Sequence, residues 1–209
     1  MAIIAKAEME SKFEPISEGV HTAVCVGVID LGLQYSEKYE KSSDKIMLQW
    51  ELPNETYVTS DGEEKPRILS KEYTLSLGEK SNLRKDLQAW RGKAFTEEEL
   101  KGFDLKNILG KACQIQIIHT ERNGNTYANI ASIMGLPKGM AVPKPVNGLI
   151  YIDLTEDNAL NLIDVLPSWI QDKIKSSETY TVLKASENLS VTPEFTPVDD
   201  DLPEFLKEA

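Results

Sequence analysis

Positions that alternate between apolar and polar mark most of the first two thirds of the chain, and period two is the signature of a strand with one buried face. From Gly19 to Gln34, Val20, Thr22, Val24, Val26 and Val28 alternate with His21, Ala23, Cys25 and Gly27, which predicts a long first strand. Gly27 and Gly32 inside it predict bulges or a sharp bend, because glycine in a strand interior marks a place where the ladder must turn. Ile46, Leu48, Trp50 and Leu52 form one face of a second strand, Lys45 to Leu52, with Met47, Gln49 and Glu51 on the other. A third strand is expected from Arg67 to Leu77, after turn signals at Pro53-Asn54 and Ser60-Asp61-Gly62.

The period then lengthens. Leu83, Leu87 and Trp90 recur at helical spacing behind Ser81, a capping residue, and ahead of Gly92, a terminator. Thr96-Glu97-Glu98-Glu99 reads as a capping box opening a second short helix. Strands resume at Lys111–Ile118 and Tyr127–Met134, joined by a hairpin around Asn123-Gly124.

Three prolines and two glycines between Gly135 and Pro145 cannot sustain regular structure and predict a linker. Beyond it, Leu149–Ile152 reads as a short strand. Thr155 is expected to cap a helix carrying Leu160, Ile163 and Leu166. Pro167 is expected to open another carrying Trp169, Ile170 and Ile174, with Trp169 and Ile170 placed for a self-contact or a lid on the barrel. From Ser176 the Ser/Thr/Glu-rich composition predicts little order. The expected organisation is an extension over 1–18, a β domain over 19–136, a linker over 137–148, a small helical appendage over 149–175 and a disordered acidic tail over 176–209.

Composition alters this picture mainly through its distribution. The 209 residues carry 34 acidic and 23 basic side chains, a formal net charge of −11, which on its face argues against contact with phosphates. Thirteen of the acidic residues and only four of the basic ones lie from Val146 onward, so residues 1–145 are close to neutral. Cys25 and Cys113, the only cysteines, sit in apolar runs and read as buried thiols of a reducing compartment. No apolar run reaches membrane-spanning length and no leader pattern precedes the first strand, so a soluble, cytoplasmic protein is expected.

Three strands, a helical segment and two more strands is the order of the OB-fold, a five-stranded, partly open Greek-key barrel that binds oligonucleotides, oligosaccharides and sometimes proteins. The expected fold is therefore mainly β with helices, an OB-type barrel of order β-β-β-α-β-β with a small C-terminal α/β appendage. The extreme C-terminus, Asp199-Asp200-Asp201-Leu202-Pro203-Glu204-Phe205, resembles the tip of bacterial and phage single-stranded DNA-binding proteins. In that family a run of aspartates leads to an aliphatic residue, a proline and a final phenylalanine. Here Glu204 is inserted before Phe205, and four residues follow it. The Leu166-Pro167-Ser168-Trp169-Ile170 stretch and the layout of 19–180 also look like OB-type proteins of phage replication clusters.

The resemblance implies non-sequence-specific binding of single-stranded DNA in phage-type replication or recombination. It implies replication or recombination partners held through Asp199, Asp200, Asp201, Leu202, Pro203 and Phe205, with homo-oligomers possible and no cofactor needed. Single strands are held by cations along the phosphates and aromatics against the bases. The candidates for that role are Tyr35, Lys38, Tyr39, Lys41 and Lys45 at the first loop, Lys71 and Tyr73 on the third strand, and Arg122, Asn123 and Tyr127 at the last hairpin. Tyr73 shares its face with Leu69, Leu75 and Leu77, which fits core packing as well as ligand contact. Trp50 and Trp90, on apolar faces, read as core. Neither His21 nor His119 has a partner at metal-ligand spacing, and no phosphate loop, nucleophile elbow or zinc-protease helix occurs, so no catalytic residue is assigned. The rival reading is an acidic protein-interaction adaptor or a DNA-mimic inhibitor, in which the negative charge itself is the active feature.

Overall fold

The computed structural model of the protein describes residues 14–190. Its architecture is mainly β, a six-stranded sheet carrying five α-helices. Five strands, β1 (Gly19–Ser36), β2 (Lys41–Val58), β3 (Glu64–Thr74), β4 (Ala112–Arg122) and β5 (Asn125–Gly135), pair antiparallel in the order β3-β2-β1-β4-β5. The sixth, β6 (Ile150–Ile152), runs parallel to β1 beside Gly27–Ile29.

The first strand serves both halves of the sheet. Its opening residues, Gly19–Val24, pair with β4, and Val24–Ser36 pair with β2. Register shifts between Cys25 and Gly27 and between Asp30 and Gly32 fall at the two glycines expected to bend it. Gly32 has φ +72°, and an added Cβ would meet Ser177 Oγ at 2.7 Å, so the backbone geometry and the close approach of the C-terminal segment both demand glycine there.

The sheet is not closed, since no ladder joins β3 to β5. The seam is filled instead by α1 (Asn82–Arg91), capped by Ser81 and ended by Gly92 in the left-handed region, as its spacing predicts. Its Leu83, Leu87 and Trp90 enter a core formed by Ala23, Cys25, Ile46, Leu48, Trp50, Leu52, Ile115 and Ile117. Trp50 is fully buried with its ring centroid 6.1 Å from that of Trp90. The short helix α2 (Glu97–Lys101) opens with the expected capping box, and a 3-10 turn (Leu105–Ile108) leads into β4.

The opposite face of the sheet carries a second core. Ile29, Leu31 and Met47 pack against Ile152 and Leu154, and against Ala159 and Ile163 of α3 (Ala159–Ile163). Ile170 and Ile174 of α4 (Ser168–Lys175) complete it. A fifth helix, α5 (Glu178–Ser190), lies in the stretch expected to lack order. Ser177, buried and accepting from Tyr180 N at 3.0 Å, starts it, and Tyr180 and Leu183, three positions apart, pack on the second core. One local expectation also changes. Thr155 does not cap α3; its backbone N–H and hydroxyl both donate to Asp153 Oδ1, and α3 starts three residues after Glu156. On α4 Ile170 and Ile174 are buried, and Trp169 is 48% exposed.

Candidate nucleic-acid interface

The β1–β2 hairpin turns at Glu37–Glu40, with Tyr39 N donating to Ser36 O and Glu40 at φ 46°. It presents Tyr35 at 60% and Tyr39 at 71% exposure, values a core role does not allow. Lys38 Nζ lies 5.4 Å from the Tyr39 ring centroid, and Lys41 is exposed. Lys45 is spent locally, donating to Thr74 Oγ1 at 2.8 Å. Glu37, Glu40 and Asp44 balance the three lysines, so this rim offers aromatic surface without a net positive field.

The β4–β5 hairpin forms around Asn123 (φ 52°) and Gly124 (φ 77°), the paired left-handed conformation that an Asn-Gly turn supplies. Arg122, Asn123 and Tyr127 line an open depression of about 440 Å³ with Thr120 and Asn129. Tyr127 is 49% exposed, and Asn129 Nδ2 donates to Thr120 Oγ1 at 2.7 Å. Behind it the outward face of β1, β4 and β5 carries Val20, Gln116, Ile118, Ser132 and Met134, with the exposed Glu18, which accepts from His119 N at 2.7 Å, at its edge.

Both third-strand candidates leave the surface. Lys71 and Tyr73 point to the first core, opposite Leu48 and Ile46, and both end on Asp86 of α1. Lys71 Nζ donates to Asp86 Oδ2 at 2.8 Å, and the Tyr73 hydroxyl donates to the same oxygen at 2.7 Å. Lys71 also reaches Ile130 O of β5 at 3.4 Å and so bridges the open seam. Burial first, and then Asp86, push the Tyr73 phenol far above its usual range. A buried ring cannot receive a base, so these residues hold α1 to the sheet.

The remaining candidates form two groups rather than one groove. The β4–β5 hairpin lies beyond the Gly19–Ile117 end of the β1–β4 ladder, while the β1–β2 hairpin closes the far end of β1. Between them the outward face of β2 is occupied by the chain itself, while Ile68 and Glu72 of β3 stay exposed. Met47 is in the second core, Gln49 Nε2 donates to Ser70 Oγ at 3.1 Å, and Glu72 pairs with Lys173 at 2.7 Å. Ser42 donates to Glu178, Leu33 N to Thr179 Oγ1 (2.9 Å), and Gln34 Nε2 to Lys173 O (2.8 Å).

The linker is fastened by Glu51. Its fully buried carboxylate accepts from Val146 N (2.8 Å), Asn147 N (2.7 Å) and Asn147 Nδ2 (2.8 Å). Asp30, at the second bulge, accepts from Gly32 N and Leu154 N; partial burial nevertheless raises its carboxyl above the ordinary range.

The sequence pattern did not single out Glu51 or Asp86. A glutamate alternating with Met47 and Gln49 reads as a solvated strand face, and only the distant segment that covers it shows otherwise. The tail candidates Asp199, Asp200, Asp201, Leu202, Pro203 and Phe205 lie outside the described residues. His119 Nε2 lies 2.7 Å from Ile16 O and His21 Nε2 lies 2.9 Å from Ser17 O, which ties both histidines to the segment before β1. No group of metal-ligating side chains occurs among the described residues, and no helix among them is long and apolar enough to cross a membrane. No protein-family model matches the chain, and no curated protein sequence matches it.

Proposed function

We propose that this is an OB-type protein that binds single-stranded DNA without sequence preference in phage-type replication or recombination. The observation that carries the reading is the strand order β3-β2-β1-β4-β5 with α1 inserted between β3 and β4 across the unclosed seam. An OB barrel has that order and opening. The acidic tip at Asp199-Asp200-Asp201-Leu202-Pro203 supports it from sequence, as the docking segment for replication or recombination proteins.

Because the outward face of β2 is covered, the strand is proposed to run over the β4–β5 hairpin and the face behind it. There Tyr127 supplies a ring, Arg122 a phosphate contact, and Asn129 and Gln116 amides for base edges. Tyr35, Lys38, Tyr39 and Lys41 form a separate second contact, reached by a longer strand. One such fold spans about 4–16 nucleotides, so binding in cooperative rows or homo-oligomers accompanies the proposal.

The covered outward face of β2 favours a second reading, an acidic adaptor that meets proteins rather than DNA. Titration of a labelled oligothymidine at two salt concentrations separates the two. The first reading requires single-strand binding that exceeds duplex binding and weakens with salt as counterions are released. Absence of binding to either at low salt would leave the adaptor.

A further inference from the structure

The molecule holds a second polar concavity that the proposed interface does not use. It lies where the C-terminal end of α1 meets the 3-10 turn and the first residues of β4, has a volume of about 330 Å³, and no carboxylate lines it. Arg91, Lys93 and Lys111 supply three positive charges, Asn107 an amide, and Trp90 and Phe103 apolar walls. In a chain of net charge −11 this grouping needs a cause.

Part of the charge has a structural use. Arg91 pairs with Glu99 and lies between two rings, 4.4 Å from the Phe95 centroid and 4.9 Å from that of Phe103; Lys93 reaches the same Glu99 at 3.8 Å. Cations also suit a helix C-terminus, whose carbonyls amount to roughly half a negative charge. Three cations against Glu99 and that half charge leave a surplus of about +1.5, close to the charge of a phosphomonoester. The donors are also incompletely used. Neither the Lys111 ammonium nor the Asn107 amide has a partner among the described residues, whereas Arg91 Nη1, also without an acceptor, is closed off from the open concavity.

We infer that this concavity binds the phosphate of a nucleotide, either free or at the end of a nucleic-acid strand. Lys111, Asn107 and Lys93 would face the phosphate oxygens, Arg91 would add its charge from behind them, and Phe103 would face the sugar or base. The volume lies at the lower end of the range for small-molecule sites and exceeds what a bare phosphate fills. The site is distinct from the proposed strand path, because β4 separates Lys111 from Arg122 by eleven steps of about 3.4 Å. The inference therefore does not rest on single-strand binding.

Calorimetric titration with thymidine monophosphate, thymidine and inorganic phosphate tests it. Thymidine monophosphate should bind more tightly than inorganic phosphate, and thymidine should not bind. Lys111→Glu, a change of an exposed side chain, should weaken thymidine monophosphate at least about tenfold, since it reverses a charge at contact range, while the thermal midpoint stays unchanged. Tyr127→Ala should leave this binding intact whether or not it alters oligothymidine binding, which keeps the two sites' outcomes apart. Tetrathymidylate with a 5′-phosphate, compared with the same strand lacking it, distinguishes the sources. A gain from the phosphate identifies a strand end as a ligand, and no gain restricts the site to free nucleotide. Equal binding of thymidine and its monophosphate, no binding of either, or unchanged affinity in Lys111→Glu overturns the inference.

Discussion

Replacing Glu51 by alanine tests how the chain holds its own C-terminal unit. The carboxylate is fully buried and accepts three hydrogen bonds of 2.7–2.8 Å from Val146 and Asn147. Bonds to a charged acceptor are each worth about 1.5–3 kcal/mol, so the gross loss is roughly 5–9 kcal/mol. Two effects offset it. Removing a buried carboxylate recovers several kcal/mol of desolvation, and Val146, largely exposed, can turn its N–H to water. A net destabilisation of about 2–4 kcal/mol is expected, which for a chain of this length lowers the thermal midpoint by roughly 5–15 °C.

Urea titration measures the free energy, and hydrogen exchange at the amides of Val146, Asn147 and Ile150–Ile152 locates it. Asn147→Ala, which removes only the side-chain donor, should cost about 1 kcal/mol, and the double variant should cost less than the sum of the two. If Glu51→Ala melts within about 0.5 kcal/mol of the parent, or loses stability with no faster exchange at 146–152, the clamp is refuted.

Other expectations concern stacking, packing, the thiols and the tail. Tyr39→Ala should cost roughly 1–3 kcal/mol of oligothymidine affinity and under about 0.5 kcal/mol of stability, whereas Trp50→Ala should cost ~3–5 kcal/mol of stability; a Tyr39 variant that melts early but binds normally would reverse that assignment. Trp50→Phe should be far milder, because it also removes an indole N–H that is buried without an acceptor, and urea titration would show the difference. Burial pushes the Cys25 thiol up to about 12 from 9.0, and Cys113 also upward, so a thiol reagent at neutral pH should label neither until the chain unfolds. Their contribution to stability is complete below pH 9.0 and falls as pH rises towards 12, since only the unfolded chain releases those protons in that window; urea midpoints across it check the sign. Deleting the residues after Ser190 removes Glu194, Asp199, Asp200, Asp201, Glu204 and Glu208 against Lys207, and should tighten single-strand binding most at low ionic strength; unchanged affinity there would show that the tail does not compete.

Local signals were legible in the sequence wherever they were self-contained. The alternation around Trp50, the Ser81 cap with Gly92, the Thr96 capping box and the Asn123-Gly124 turn each depend on a few neighbouring residues, and each forms as read. Gly27 and Gly32 marked the bulges because glycine in a strand has few other uses. Contacts across long sequence separation were not legible. Nothing near Met47, Gln49 or Glu51 announces a cover contributed by residues 146–183. The Ser177-led helix was hidden for a related reason: Thr179, Thr181 and Ser186 lower its intrinsic propensity, and packing of Tyr180 and Leu183 on a distant strand supplies what propensity lacks. Of the candidate site, the exposed loop tyrosines and the hairpin were visible, whereas the diversion of Lys71 and Tyr73 to Asp86 depends on where α1 crosses the seam.

The parallel pairing of β6 with β1 sets a timetable for the nascent chain. Gly27–Ile29 are made some 120 residues before the strand that flanks them. At about 5–20 residues per second, synthesis leaves Ile29, Leu31 and Met47 without their cover for roughly 6–24 s. During that interval the growing chain offers an apolar sheet face and an unpaired stretch of β1 to any neighbour on the same message. A ribosome stalled before Ile150 would therefore carry a sticky half-sheet, and chaperone demand should concentrate on chains between the completion of β2 and the arrival of α4.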